Sequence, residues 1–322
     1  MTPRPTPPRP VRRFLGVILL SVLVSFAILT LVDILLSGRL RKCGGLVEPW
    51  EEILDGGINA DFVIMGASDA SCGFNPETLD SLLLTKSFNL GCEGRHIASQ
   101  VAKYNLYEKK NKAPAIVIQS LTSLTLLRSQ GYEREQFFPF FHDRDFRRAV
   151  FPLDSFSPAE RFVPMLRYRG GAPHRLRKAS HRFRKGFCTI DKPFSRQELA
   201  NTQARFAYPF YVSEESEKVF QDFLDASLKA GSKIVFVYPP LYRELRDTIK
   251  DWEKIYSRFE SYASPRGIPV LDYTWHPICE DSTFYYDGIH LNKAGSERFT
   301  EIFANDLKRL IDDYGICDHT CP

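Results

Sequence analysis

A serine, a histidine and an aspartate held together can attack an acyl carbon. The hydroxyl is the nucleophile, the imidazole takes its proton, the carboxylate orients the imidazole, and backbone N–H groups hold the oxyanion. In this chain Ser68 closes the run Gly66-Ala67-Ser68, and His290 stands three residues after Asp287 in Tyr286-Asp287-Gly288-Ile289-His290-Leu291-Asn292. That spacing puts Asp287 and His290 on one turn, which makes Ser68 the candidate nucleophile, His290 the candidate base and Asp287 its orienting partner. The backbone N–H groups of Ser68 and Gly94 are candidate oxyanion donors, because glycine lets the chain approach closely. Each piece alone has a plainer explanation: a strand-to-helix turn at Gly66-Ala67-Ser68, a β-turn at Asp287-Gly288 with His290 as a cap, and packing glycines at Gly91 and Gly94. Of the other histidines, His96 suits a helix start or a pocket lining, His174 and His181 fall in a basic stretch, and His142, His276 and His319 have no motif around them.

These residues need rigid elements to meet. Residues 61–65, 86–90, 115–119, 233–238 and 268–271 are short apolar runs with β-branched residues, the pattern of parallel strands buried on both faces. Helical patterns lie between them. Over 213–230, Val219, Phe220, Phe223, Leu224 and Leu228 line one face, with Ser213 at the start and Gly231 past the end; 294–311 repeats apolar residues at the same spacing, and Asn75-Pro76 marks a further helix start. Alternation of this kind predicts an α/β domain over 58–314 with an open three-layer parallel sheet and right-handed crossovers. Ligands of such sheets bind outside the carboxyl ends of the strands, where Gly66-Ala67-Ser68 and Asn89-Leu90-Gly91-Cys92-Glu93-Gly94 fall.

Residues 121–212 break the alternation, being rich in Pro, Arg and aromatics, and form an insertion between the third and fourth strands. Within it, residues 161–187 hold nine Lys or Arg and no acidic residue. The stretch reads either as a solvated or membrane-facing basic surface or as a docking face for an anionic glycan or lipid headgroup, with Arg175, Arg177, Lys178, Arg182 and Arg184 as its contacts.

Residues 1–42 carry a net +6, whereas the remainder holds 36 basic against 38 acidic residues. A near-neutral body excludes a general nucleic-acid binder, and 43% hydrophobic residues exclude disorder for most of the chain. Phe14 to Val32 is uncharged, and the apolar run continues past Asp33 to Leu36. This reads as one transmembrane helix over 14–36, since about 20 apolar residues at ~1.5 Å each cross a bilayer core. A cleaved signal peptide is the alternative, but its apolar region is shorter and ends in small residues, whereas this one runs into Leu-Ser-Gly-Arg-Leu-Arg-Lys. Four arginines precede the helix and Arg39, Arg41 and Lys42 follow it, an excess of one that favours a cytoplasmic N-terminus and a domain outside. Residues 1–13, with five prolines, are expected as a disordered tail, 37–57 as a juxtamembrane linker and 315–322 as a C-terminal tail.

Seven cysteines are compatible with an oxidising compartment. Cys72 and Cys92, on loops after neighbouring strands, are a candidate disulfide beside the site. Cys317 and Cys321 can close a loop, or with His319 form a weak metal motif.

The ordered set Gly66-Ala67-Ser68, Asn89 through Gly94, and Asp287-Gly288-Ile289-His290 resembles the SGNH (GDSL-like) hydrolase superfamily, across roughly residues 58–314. The resemblance implies a flavodoxin-like sheet, a serine nucleophile and ester chemistry without metal or organic cofactor. Two departures stand out. Ala67 replaces the family's aspartate before the serine, and the family's Gly-x-Asn after the third strand, which supplies an oxyanion donor worth ~100 to 1000-fold in rate, is replaced by Gln119-Ser120-Leu121-Thr122. Gln119, Ser120 and Thr122 are the candidate substitutes. With its anchor the chain resembles a membrane-bound subgroup of cell-envelope O-acyltransfer proteins, which implies a single-pass protein of a bacterial inner membrane. An esterase or O-acyltransferase acting on acylated envelope glycans or lipids is therefore expected, the transferase drawing on a membrane-bound O-acyltransferase partner. The rival is a catalytically silent protein that holds an anionic polymer on its basic insertion.

Overall fold

The computed structural model describes residues 9–92, 97–127, 134–153, 156–178, 182–207 and 209–314, with the side chains of Arg9, Arg177, Lys178 and Tyr314 outside that description. Five strands, β1 (Phe62–Met65), β2 (Ser87–Asn89), β3 (Ile116–Ser120), β6 (Lys233–Tyr238) and β7 (Val270–Asp272), pair in parallel in the order β2-β1-β3-β6-β7. A hairpin, β4 (Arg182–Arg184) and β5 (Phe187–Thr189), is antiparallel and separate. The five-stranded order is the flavodoxin-like one, with the topological switch point between β1 and β3. Every residue of β1, β2 and β3 is buried, which is why these runs are continuous rather than alternating.

Helices cover both faces. After β1 come α3 (Ser68–Gly73) and α4 (Pro76–Leu83), which pack with the last helix, α13 (Lys293–Tyr314), where the Phe74 ring lies 5.0 Å from Phe299 and 5.1 Å from Phe303. Against the opposite face lie α5 (Ile97–Glu108), α10 (Glu214–Lys229) and α12 (Trp252–Ala263), joined through Tyr104–Phe223 and Phe220–Phe259 contacts. Asn75 caps α4 by accepting from the Glu77 N–H, with Pro76 in the first turn. Ser213 occupies the N-cap position of α10 without a side-chain capping bond.

The N-terminal helix α1 runs from Arg9 to Arg41 and is long and apolar enough to cross a membrane. It takes in residues 9–13, expected in a disordered tail; Pro10 sits in its first turn, where a missing N–H costs nothing. The stretch 37–57, expected as a linker, is folded. A 3₁₀ turn and α2 (Glu48–Asp55) follow α1 directly, and Leu40, Val47, Trp50, Ile53 and Leu54 are buried. Trp50, Ile53 and Leu54, three to four residues apart, give α2 an apolar face that packs on α5, and burying it ties the chain down where composition suggested a tether.

Between β3 and β6 the insertion holds a 3₁₀ helix (Arg134–Phe140), α6 (Arg144–Val150), α7 (Pro158–Phe162), α8 (Ala172–Lys178), the hairpin and α9 (Arg196–Phe206). Its core is aromatic: Phe137, Phe138, Phe140, Phe141, Phe146 and Phe156 are buried, and the Trp50 indole N–H donates to Gln136 at 2.9 Å. The expected Cys72–Cys92 disulfide is not formed. Cys72 lies within α3 rather than on a loop and packs with Phe183 and Cys188 under the hairpin, whereas Cys92 packs into the main core. The Cys317–Cys321 tail lies outside the described residues.

Candidate active site

Strand β1 delivers Ser68 to the carboxyl edge of the sheet through a sharp turn. Gly66 has φ +155°, and a Cβ there would stand 2.5 Å from Ala70 Cβ and 2.8 Å from Ser120 Cβ, so only glycine lets the start of α3 lie this close to β3. The loop after β2 braces the same helix. Asn89 Nδ2 donates to Ala70 O at 2.8 Å and Phe74 O at 2.9 Å, and the Cys92 N–H donates to Gly66 O at 3.0 Å.

His290 reaches Ser68 from a loop closed by a bridge between Tyr285 and Leu291 and by the Tyr286 N–H donating to His290 O at 2.9 Å. His290 Nε2 lies 2.8 Å from Ser68 Oγ, and His290 Nδ1 lies 2.8 Å from Asp287 Oδ2. Asp287 divides its oxygens: Oδ1 accepts from the Ile289 N–H at 2.8 Å and the His290 N–H at 2.7 Å, which shapes the turn, while Oδ2 faces the imidazole. Burial pushes the Asp287 carboxyl up, but the hydrogen bond and charge of His290 and the two backbone N–H donors outweigh it, so its pKa lies below the usual carboxylate value.

The histidine loop is held from both sides. A Cβ on Gly288 would lie 2.6 Å from Leu245 Cβ and 2.8 Å from Leu199 Cδ1, so helices α9 and α11 (Arg243–Arg246) press on that glycine. The Tyr242 N–H donates to Gly288 O at 2.9 Å and the Ser195 N–H to Tyr286 O at 2.7 Å. Thr202 Oγ1 donates to Asp287 Oδ2 at 3.4 Å. Thr202 has no local motif and reaches the site only because the end of the insertion folds back over the loop. Two residues past His290, a cavity of about 320 Å³ opens between residues 190–193 and the start of α13.

The candidate oxyanion donors separate by geometry. Gly94 lies outside the described residues. Gln119 is fully buried, its amide donating to Gln100 Oε1 at 3.2 Å and Ser120 O at 2.8 Å. Thr122 belongs to a local turn, its N–H donating to Thr125 Oγ1 at 2.8 Å and its Oγ1 accepting from the Leu124 N–H at 3.3 Å. Ser120 alone of the three bonds to a neighbour of the nucleophile, with its Oγ 2.5 Å from Asp69 Oδ2. Asp69 is missing from the sequence-derived set. It is 4% exposed, and burial raises its carboxyl pKa against the opposing hydrogen bond from Ser120 and the charge of His290.

The basic surface is partly neutralised. Arg175 pairs with Glu135 and Arg184 Nε with Glu77 Oε1 at 2.6 Å, carboxylates that come from outside the run 161–187 and are invisible to a count along it. Arg182 is exposed, and nothing is described of the Arg177 and Lys178 side chains. His276 caps a 3₁₀ turn by accepting from the Ile278 N–H, and His142 lies against Asp33. Among the described residues no group of three or more His, Cys, Asp or Glu is placed to hold a metal ion.

No family model matches the chain, and no curated protein matches it. Among solved structures, one from Bacteroides fragilis carrying the provisional description acylhydrolase aligns over 79% of this chain and 86% of its own, with 11% identity and a TM-score of 0.38.

Proposed function

We propose that the chain is a membrane-anchored SGNH-like serine esterase or O-acyltransferase acting on ester-linked acyl groups of cell-envelope glycans or lipids. The observation that carries this is the single imidazole bridging Ser68 Oγ and Asp287 Oδ2 at 2.8 Å on each side. Ser68 attacks the acyl carbonyl while its proton passes to His290 Nε2. The resulting oxyanion collapses, the ester C–O bond breaks, and His290 returns the proton to the leaving alkoxide, which leaves an acyl-serine. A water or a sugar hydroxyl, deprotonated by His290, then attacks that acyl group and restores Ser68. Asp287, ionised under its N–H donors, stabilises the imidazolium formed in both halves.

The oxyanion meets the Ser68 backbone N–H, the Gly94 N–H and the Ser120 hydroxyl in this scheme. Ser120 is free to donate when Asp69 is a neutral acid, because the carboxyl O–H can then donate to Ser120 Oγ and release the serine proton toward the substrate. Pairing of Arg175 and Arg184 with Glu135 and Glu77 weighs against a purely electrostatic polymer-binding role. The test is labelling of the full chain with a fluorophosphonate. Wild type should label, and Ser68→Ala and His290→Ala should not; equal labelling of wild type and Ser68→Ala removes the proposal.

A further inference from the structure

Helix α1 presents two faces to two surroundings near its C-terminal end. Asp33, Ser37 and Leu40 are buried and Thr30 and Leu36 half-buried against the insertion, whereas Leu31, Val32, Ile34 and Leu35 on the other side are exposed. The buried stripe is fixed by a polar cluster. Asp33 is fully buried and pairs with Arg167; His142 Nε2 lies 2.7 Å from Asp33 Oδ1, and the Met165 N–H donates to Asp33 Oδ2 at 2.6 Å. Arg167 also donates to Ser37 Oγ at 3.1 Å, and the Tyr168 hydroxyl lies 2.8 Å from the same oxygen.

This cluster sets the insertion at a definite height on the helix. Phe14 to Val32 at ~1.5 Å per residue cover ~28 Å, close to the ~30 Å of a bilayer's hydrocarbon core. With α1 in a bilayer, the apolar core therefore ends near Asp33, and the exposed Ile34 and Leu35 extend it slightly on the outer face of the helix. Met165, bonded to Asp33, lies at that boundary. Val163 and Phe162 are two and three residues before it, within ~11 Å along the chain at most. Both are uncovered, Phe162 at 76% exposure and Val163 at 45%. Among the described residues of this part of the chain, the exposed Arg169 pairs with the largely buried Glu160 at 3.8 Å, while Arg39 near the end of α1 and Lys42 just past it are exposed. An aromatic and an aliphatic side chain at the edge of the hydrocarbon, with arginine and lysine on the water side, match the chemistry of a bilayer interface.

We propose that residues 162–165 form a second membrane contact, with Phe162 and Val163 entering the boundary between headgroups and acyl chains beside α1 and Arg169 at headgroup level. The contact needs only α1 in a bilayer and does not depend on the acyl-transfer chemistry. Its consequence is orientation. One helix alone leaves a domain free to swivel, whereas a helix plus a lateral contact locked to it through Asp33 and Arg167 holds the Ser68 site at one height and one facing above the lipid.

The test is depth-resolved quenching. The full chain carrying Phe162→Trp is reconstituted in phosphatidylcholine–phosphatidylglycerol vesicles with acyl chains brominated near the carbonyl, and its emission is compared with that of the parent, whose Trp50, Trp252 and Trp275 give the background. The added emission should be present in plain vesicles and reduced several-fold in brominated ones. Added emission of equal strength in both overturns the proposal. Val163→Trp repeats the measurement at the neighbouring position, so that poor folding of one variant does not decide the outcome.

Discussion

Ser120 Oγ lies 2.5 Å from Asp69 Oδ2, and Asp69 follows Ser68 directly in the chain, so the first residue after the candidate nucleophile reaches across to the end of β3. Burial raises the pKa of this carboxyl, and its protonation decides where the Ser120 proton points. Asp69→Asn should keep most of the acyl-transfer activity, because the amide donates to Ser120 as the neutral acid does, while Asp69→Ala should lose about 10-fold or more. The sign for stability follows from the raised value. The folded state holds the Asp69 proton over a pH range in which the unfolded chain, near ~3.9, has released it, so the wild type loses stability as pH rises through the folded value. Denaturant melts from pH 4 to pH 9 should show that decline in the wild type and a flatter profile in Asp69→Asn. Identical profiles would remove Asp69 from the account.

Ser120→Ala removes the one candidate substitute donor that bonds beside the nucleophile. The expected effect is a fall of ~100-fold or more in kcat with KM nearly unchanged, since an oxyanion donor acts on the transition state. Gln119→Ala, whose amide bonds to Gln100 on α5 and the Ser120 carbonyl, and Thr122→Ala, whose partners lie in a local turn, should change kcat by much less and act through stability instead. A larger kcat loss in either than in Ser120→Ala would reassign the donor.

Asp287→Asn tests the orienting carboxylate. The amide oxygen can still accept from the Ile289 and His290 N–H groups, so the turn should survive, but the imidazole loses its charged partner and is held in the wrong tautomer. We expect a kcat loss of ~1,000 to 10,000-fold with a melting temperature within a few degrees of wild type. Because the folded pKa of Asp287 is depressed, its stabilising contribution is complete above the ordinary value of ~3.9 and disappears only as pH falls through the lower folded value. Circular dichroism melts of the two proteins should therefore converge only in strong acid.

What could be read from the chain follows the range of the interactions. The runs at 62–65, 116–120 and 233–238 are legible because a parallel strand covered on both faces is apolar along most of its length, with Gln119, Ser120 and Lys233 falling only at or next to the strand ends. Ser68, Asp287 and His290 are legible because strand ends and a three-residue turn leave local marks. Asp69 and Thr202 leave none: their partners lie 51 and 85 residues away, and a polar residue looks the same whether it faces solvent or a buried neighbour. The segment 37–57 carried its apolar spacing openly, yet its glycines and charges directly after a long apolar helix read as a juxtamembrane linker. The basic run 161–187 failed as a measure of surface charge for the related reason that Glu77 and Glu135 approach it only in the fold.

The Asp33–Arg167 pair offers a test of whether the insertion is locked to α1. Both side chains are nearly inaccessible, at 1% and 3%, so removing one charge leaves the other buried without a counter-ion, a loss of ~3 to 5 kcal/mol. Asp33→Ala and Arg167→Met alone should each lower the melting temperature of the detergent-solubilised chain by several degrees. Asp33→Leu combined with Arg167→Met should recover most of that loss, because apolar replacement of both partners removes the desolvation cost along with the attraction. His142 and the Met165 N–H keep a lesser claim on Asp33, so His142→Ala should cost less than Arg167→Met. Additive losses in the double variant would mean that the two charges do not interact and that the insertion is held to the helix by its aromatic contacts alone.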